Sequence, residues 1–291
     1  MNSVPNRTSV RIWQQNLGKS LIAQQEMLAI AHPSNWDILA IQEPYIDTLG
    51  NTRANPKWNM IYPTTANRGA QHPPRTVILV NTKIPSESIV QIRIESSDIT
   101  AITMRTSERP LTIINIYNAN EHNDTIDTIS EQWEQHERTF RPGPSTEILL
   151  LGDFNRHHPT WEPANNAHLT SPDRLLNPLL DLIINMRLEM ALPRYLETLE
   201  ARNGGRWTRP DNVWRNTDSA SSVVTCDIWD GARPTNTDHL PIITTLDLTV
   251  RSVSGPEGRM EADGGMPVWA ERTECRRSIY PYIRLSLPGV N

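Results

Sequence analysis

Apolar residues follow two rhythms along this chain. In the first, short runs rich in Ile, Val and Thr are bounded by Pro, Gly, Asn or Asp, which predicts strands. Such runs cover residues 10–16 (VRIWQQN), 37–43 (DILAIQE), 76–81 (TVILVN), 87–96 (ESIVQIRIES), 99–105 (ITAITMR), 111–117 (LTIINIY) and 146–153 (TEILLLGD). Two late runs, 221–230 (SSVVTCDIWD) and 240–250, read the same way. In the second rhythm, Leu21, Ile22, Leu28 and Ile30 fit one buried side of a helix over 19–31. Residues 124–140 and 174–192 predict two further helices, with Pro178 near the first turn of the latter. Helices among many strands imply sheets covered by helices in one compact unit, and no internal repeat appears. Past Val250 the rhythm fades. Residues 251–291 are rich in Gly, Arg and Glu, and are expected to form a poorly ordered tail behind a domain spanning 8–250.

Composition narrows the class. The 291 residues are 37% hydrophobic and 21% charged, as expected of a soluble globular protein. The net charge of −5 advertises no global basic field for nucleic acid, although a local basic rim can coexist with an acidic body. Two cysteines, Cys226 and Cys275, make no disulfide framework and lack metal-ligand spacing, so a reducing compartment is expected. The N-terminus has no apolar core of signal-peptide length, and no apolar run reaches about 18 residues, so neither secretion nor a membrane span is expected.

Polar residues recur where the strands end, which is where α/β proteins gather their chemistry. Asn16 closes the first run, Glu43 the second and Tyr117 the run at 111–117, with Asn120 three residues on. Asp153 and Asn155 follow EILLL, Asp227 lies in VVTCDIWD, and Asp238 and His239 precede the last run. Each has an ordinary reading when taken alone. Asn16, Asn120, Asp153 and Asn155 suit turns, Tyr117 suits a core aromatic, and His157 and His158 suit exposed loop positions. Glu43 is harder to explain as packing, because a carboxylate at the end of an apolar strand needs a partner or a metal.

As an ordered set, QQN, IQEPY, NIYNAN, LLGDFN, VVTCDIWD and TDHLPI resemble the motif series of the endonuclease/exonuclease/phosphatase superfamily. The resemblance runs from about residue 10 to 250, and it is closest to the apurinic-like endonuclease domain of non-LTR retrotransposons. It implies a four-layer α/β sandwich, two mixed β-sheets packed face to face with flanking helices. By resemblance, Glu43 is the metal carboxylate with Asn16 beside it, Asp238 lies next to the metal region, and the ion is Mg²⁺, with Mn²⁺ as an alternative. Asp153 would orient and deprotonate the attacking water, and Asn155 would contact the phosphoryl group. Tyr117 and Asn120 would contact the phosphate and support the site. His239 would hydrogen-bond the scissile phosphate, and Asp227 would orient it. Thr208 is a weaker match to a Thr near the site, while His158 and Trp161 would shape the substrate surface. Thr237 stands where the family usually has Ser.

The function so implied is a Mg²⁺-dependent DNA-nicking endonuclease that leaves a 3′-OH for target-primed reverse transcription, in an intracellular and nuclear setting. A reverse transcriptase module is expected in the parent element but absent from this chain, which reads as a truncated element or a frame change after Gly255. Two alternatives stay open: a phosphatase on a phosphoinositide or other small phosphoester, and a DNA-binding remnant that has lost its chemistry.

Overall fold

Strand β1 (Ser9–Asn16) lies in the interior of a six-stranded sheet, and all its residues but Ser9 and Arg11 are buried. The order is β13 (Val223–Ile228), β14 (Ile242–Asp247), β1, β2 (Ile38–Gln42), β4 (Thr76–Asn81) and β3 (Trp58–Ile61). Only β1 and β2 run parallel; every other pairing is antiparallel. A second six-stranded sheet has the order β5 (Ile89–Ile92), β6 (Ile99–Met104), β7 (Leu111–Tyr117), β8 (Glu147–Asp153), β12 (Asp211–Asn216) and β9 (Leu188–Met190). It too has one parallel pair, β7 with β8. A two-stranded hairpin, β10 (Leu199–Glu200) and β11 (Trp207–Thr208), is separate from both. The computed structural model describes residues 8–65, 73–201, 205–217 and 222–249, so the tail expected at 251–291 lies outside the described residues.

Alternation along the strands builds the layers. Val10, Ile12, Ile38, Ile78 and Val80 of the first sheet meet Ile102, Leu111, Ile113, Leu149, Leu151 and Val213 of the second. Their neighbours point the other way. Trp13, Leu39, Ile41, Val77 and Leu79 pack on Ala23 and Met27 of α1 (Leu21–Ile30). Ile114, Ile116, Ile148 and Leu150 pack on Ile126, Ile129 and Trp133 of α2 (Asp124–Phe140) and on Leu176, Leu179 and Leu182 of α3 (Asp173–Asn185). The four layers are therefore helix, sheet, sheet and helix pair. Among the described residues no helix is long and apolar enough to cross a membrane.

The helix expected over 174–192 stops earlier. It ends at Asn185, and Arg187 then takes a left-handed conformation (φ 52°) from which the chain enters β9. Pro178 sits in the second turn rather than the first. It cannot donate to the carbonyl of Arg174, and Asn123 Nδ2 donates there instead at 2.9 Å.

Candidate active site

Topology brings the polar strand ends to one edge. Because β1 and β2 are parallel, Asn16 and Gln42 are register partners at their C-terminal ends. In the other sheet Tyr117 and Asp153 are partners for the same reason, and antiparallel β12 sets its first residue, Asp211, opposite Asp153. Near this edge the interface between the sheets turns polar: Gln14 Nε2 donates to the carbonyl of Gly152 at 3.2 Å, and Gln42 Nε2 donates to Asn115 Oδ1. Gly152 is obligatory at its position. Its φ is +142°, and a Cβ there would lie 2.0 Å from the carbonyl oxygen of Ile116.

Asp153, Asp211 and His239 form a buried group, with one ligand atom from each within 4.8 Å of the others. Asp153 Oδ2 accepts from Asn16 Nδ2 at 2.9 Å, and its Oδ1 accepts from the amide of Asn155 at 3.0 Å. Asn155 is left-handed (φ 49°), and its Nδ2 donates to the carbonyl of Asn118 at 2.8 Å. His239 Nδ1 pairs with Asp211 Oδ2 at 2.8 Å, and Thr198 Oγ1 donates to the same oxygen at 2.7 Å. The His239 backbone is fixed as well: Gln15 Nε2 donates to its carbonyl, and Thr237 Oγ1 bonds the carbonyl of Asn16. Leu199 bridges His239 in antiparallel fashion, so the β10–β11 hairpin is joined to the histidine segment.

Burial, then the charge of Asp211, pushes the Asp153 carboxyl up to about 7. For His239, burial alone would lower the value. The charge and hydrogen bond of Asp211, followed by the charge of Asp153, outweigh it and raise the imidazole to about 9. Near neutral pH the group therefore holds a protonated imidazole beside a carboxyl that is partly protonated, and His239 Nε2, 4.0 Å from Asp238 Oδ1, is the ring's remaining donor.

Glu43 and Tyr117 border this group. Glu43 is left-handed (φ 44°), its side chain is 17% exposed, and it pairs with Lys19 Nζ at 3.1 Å. Burial, then the charge of Glu43, raises the Tyr117 hydroxyl well above its ordinary value, so it stays protonated. Asp238 is half-buried, and its carbonyl accepts from the amide of Glu200. Asn120 is exposed, whereas Asn118 is buried and donates through Nδ2 to the carbonyl of Phe154.

Three expected site residues lie elsewhere. Asp227 does not orient His239. Cys226 points inward on β13, so the two-residue period turns Asp227 outward to solvent, where its Oδ1 accepts from the Ile228 amide. Asp211 fills that role. The backbone carbonyl of Thr208 accepts from the amide of Thr198, and it is Thr198 whose hydroxyl reaches the group. Trp161 is 2% exposed. Its indole N–H donates to the carbonyl of Arg156 and its ring packs edge-on to Trp214, so it is core rather than substrate surface. His158 rests on Trp161, with ring centroids 5.0 Å apart, and its Nδ1 accepts from Thr160.

The donor chemistry fits a hard divalent cation. Glu43 offers a carboxylate whose only ion-pair partner among the described residues is a lysine with a side chain 66% exposed, a pair readily exchanged. Asp211 Oδ1 is buried with no hydrogen-bond partner among the described residues, as expected of an anionic oxygen that awaits a cation or a proton. A protonated His239 is a poor ligand, so the carboxylate and amide oxygens are the better donors.

Residues 111–243 match the family model described as endonuclease-reverse transcriptase. Among solved structures, the chain is similar to the endonuclease domain of TRAS1, a telomere-specific non-LTR retrotransposon, at 17% identity and a TM-score of 0.63. That match covers 81% of this chain and 98% of the other. It is also similar to the AP endonuclease LMAP from Leishmania major, at 12% identity and a TM-score of 0.64, covering 82% and 88% of the two chains. The 3′ phosphatase NExo from Neisseria, bound to product DNA hairpin, matches at 18% identity and a TM-score of 0.52, covering 82% and 99%. No curated protein matches by sequence.

Proposed function

We propose that this chain is a member of the endonuclease/exonuclease/phosphatase superfamily and a divalent-metal-dependent endonuclease that nicks DNA and leaves a 3′-OH from which reverse transcription can be primed. The observation that carries the reading is the buried group of Asp153, Asp211 and His239, held by Asn16, Asn155 and Thr198 at one edge of the fold. The work would be done in the nucleus on chromosomal DNA, in an element that supplies a reverse transcriptase.

Phosphodiester hydrolysis needs an aimed water, relief of charge on the phosphoryl oxygens and help for the leaving oxygen. Asp153, with both oxygens fixed by hydrogen bonds and a carboxyl near 7, orients water and takes its proton. His239, kept protonated and pinned through Nδ1, donates from Nε2 to a phosphate oxygen as negative charge builds there. Asn155, Tyr117 and Asn120 supply neutral donors to the phosphate. Glu43, with Asn16 and Asp238, would hold Mg²⁺ or Mn²⁺, which supplies charge neutralisation on the phosphoryl group and the leaving oxygen when bound.

The test is nicking of supercoiled plasmid with and without Mg²⁺, followed by polymerase extension to detect the 3′-OH. Metal-dependent nicks that a polymerase extends are expected. Hydrolysis of inositol phosphates without nicking would replace the endonuclease with a phosphatase. Folded protein inert on both substrates in Mg²⁺ and Mn²⁺ would leave a decayed remnant.

A further inference from the structure

Arg75 immediately precedes β4 and sits against two site residues. Its carbonyl accepts from the Glu43 amide at 2.7 Å, and its guanidinium carbon lies 4.5 Å from the centre of the Tyr117 ring. One edge of the guanidinium is occupied, with Nε donating to Asp98 Oδ1 at 2.7 Å and Nη2 to Asp98 Oδ2. Asp98 is itself held by the hydroxyl of Ser97 on Oδ1 and by Ser96 Oγ at its amide, while its carbonyl accepts from the Tyr117 amide. The plane of the fork is therefore fixed from both sheets. Nη1 is different: it makes no hydrogen bond with the described residues, and the side chain is 27% exposed. A rigid planar cation with its outer N–H groups unused, beside Glu43, has the geometry that recognises a phosphate oxygen.

A purely structural ion pair accounts for less of this. The pair with Asp98, whose side chains are 27% and 11% exposed, fills the Nε and Nη2 edge and leaves Nη1 unexplained. Packing on Tyr117 also requires neither an unused outer edge nor a position next to Glu43. Glu43, Asp153 and Asp211 gather carboxylates at the site, and Arg75 adds a fixed cation at its border, alongside Lys19 and His239, that favours an approaching phosphate.

We propose that Arg75 is a substrate-binding residue whose Nη1 donates to a DNA phosphate flanking the scissile one, with Asp98 and Tyr117 as its positioning partners. The assignment rests on the endonuclease reading and extends it to the strand beside the cut.

The experiment uses the full chain and compares wild type with R75M. Duplex DNA binding is measured across a salt series, nicking kinetics are measured in Mg²⁺, and a thermal melt checks folding. Loss of one phosphate contact should flatten the log–log salt dependence of binding by about 0.9. KM should rise more than kcat falls, equally on unrelated DNA sequences. R75Q, which keeps a planar end over Tyr117 without the charge, should flatten the slope equally and serves as the reading if R75M does not fold. An unchanged slope with a lowered kcat would overturn the assignment and leave Arg75 as a support for Tyr117. Wild-type protein that neither binds nor nicks DNA would overturn the endonuclease reading and this assignment together, whereas wild-type nicking with an unchanged slope overturns only the latter.

Discussion

His239 Nδ1 lies 2.8 Å from Asp211 Oδ2, and this pair joins the last sequence motif of the chain to a strand of the opposite sheet. The contact fixes the ring and keeps it protonated, so removal of the Asp211 charge should act through His239. Asp211→Asn is expected to lower kcat for nicking by about 10²–10³-fold, the range seen when one transition-state donor is lost. Asp227→Asn, on the solvent side of β13, should stay close to wild type. Plasmid nicking by the two variants side by side decides the matter; a severe loss in Asp227→Asn alone would reverse the assignment.

The acid that the resemblance assigns to His239 is Asp227. It lies in a Val-rich run, whereas Asp211 lies in RWTRPDNVWRN, where Pro, Arg and Asn break the apolar rhythm and hide a strand. Strand parity then decides between them. Only the inward face of Cys226 shows that Asp227 points out, and a sequence does not reveal which face of an edge strand is buried. Thr198 was hidden for a similar reason, since it precedes a two-residue strand. By contrast Asn16, Asp153 and His239 end long, regular strands or adjoin one, and the same regularity made those strands and the span of α2 readable, while the division into two sheets came from the resemblance. The resemblance puts Trp161 on the substrate surface, but it packs with Trp214 and Phe154 in the core, which a motif match does not reveal.

Protonation of the buried group should be visible in stability. The unfolded Asp153 carboxyl titrates near 3.8 and the folded one near 7. Across that window the folded protein holds the extra proton, and stability falls as pH rises. His239 moves from 6.5 to about 9, again with the folded state holding the extra proton, so its contribution is complete below 6.5 and is lost as pH passes about 9. Both act in one direction. The melting temperature of metal-free protein should drop from about pH 5 to about pH 9, and Asp153→Asn should flatten the lower part of that decline. A wild-type melting temperature that climbs over this range would contradict the assignment of both groups.

Gly152 provides a test of backbone geometry without touching any charge. A methyl group at this position meets the carbonyl of Ile116 at 2.0 Å on the central parallel pair, and the φ of +142° is itself hostile to a side chain. Neither backbone can move without disturbing Asp153, the next residue along. Gly152→Ala should cost about 4 kcal/mol or more, at the severe end for a single substitution. Urea denaturation is the measurement. A midpoint within error of wild type would mean that β7 and β8 are not paired in this register.

The proposed metal dependence would turn on Glu43. Glu43→Gln keeps the length and one acceptor oxygen but removes the negative charge that a hard cation requires. Its partner Lys19 is mostly exposed, so loss of the ion pair should change stability by no more than about 1 kcal/mol. Nicking in Mg²⁺ should collapse while the melting temperature of metal-free protein is retained. The rise in melting temperature that Mg²⁺ gives wild type should also vanish, because a ligand that binds only the folded state stabilises it according to its concentration over Kd. This second readout separates a lost ligand from a damaged active site. Activity held at low Mg²⁺ in Glu43→Gln, with the Mg²⁺-induced rise intact, would remove Glu43 from the metal site and leave the oxygens of Asp153 and Asp211 as the donors to test next.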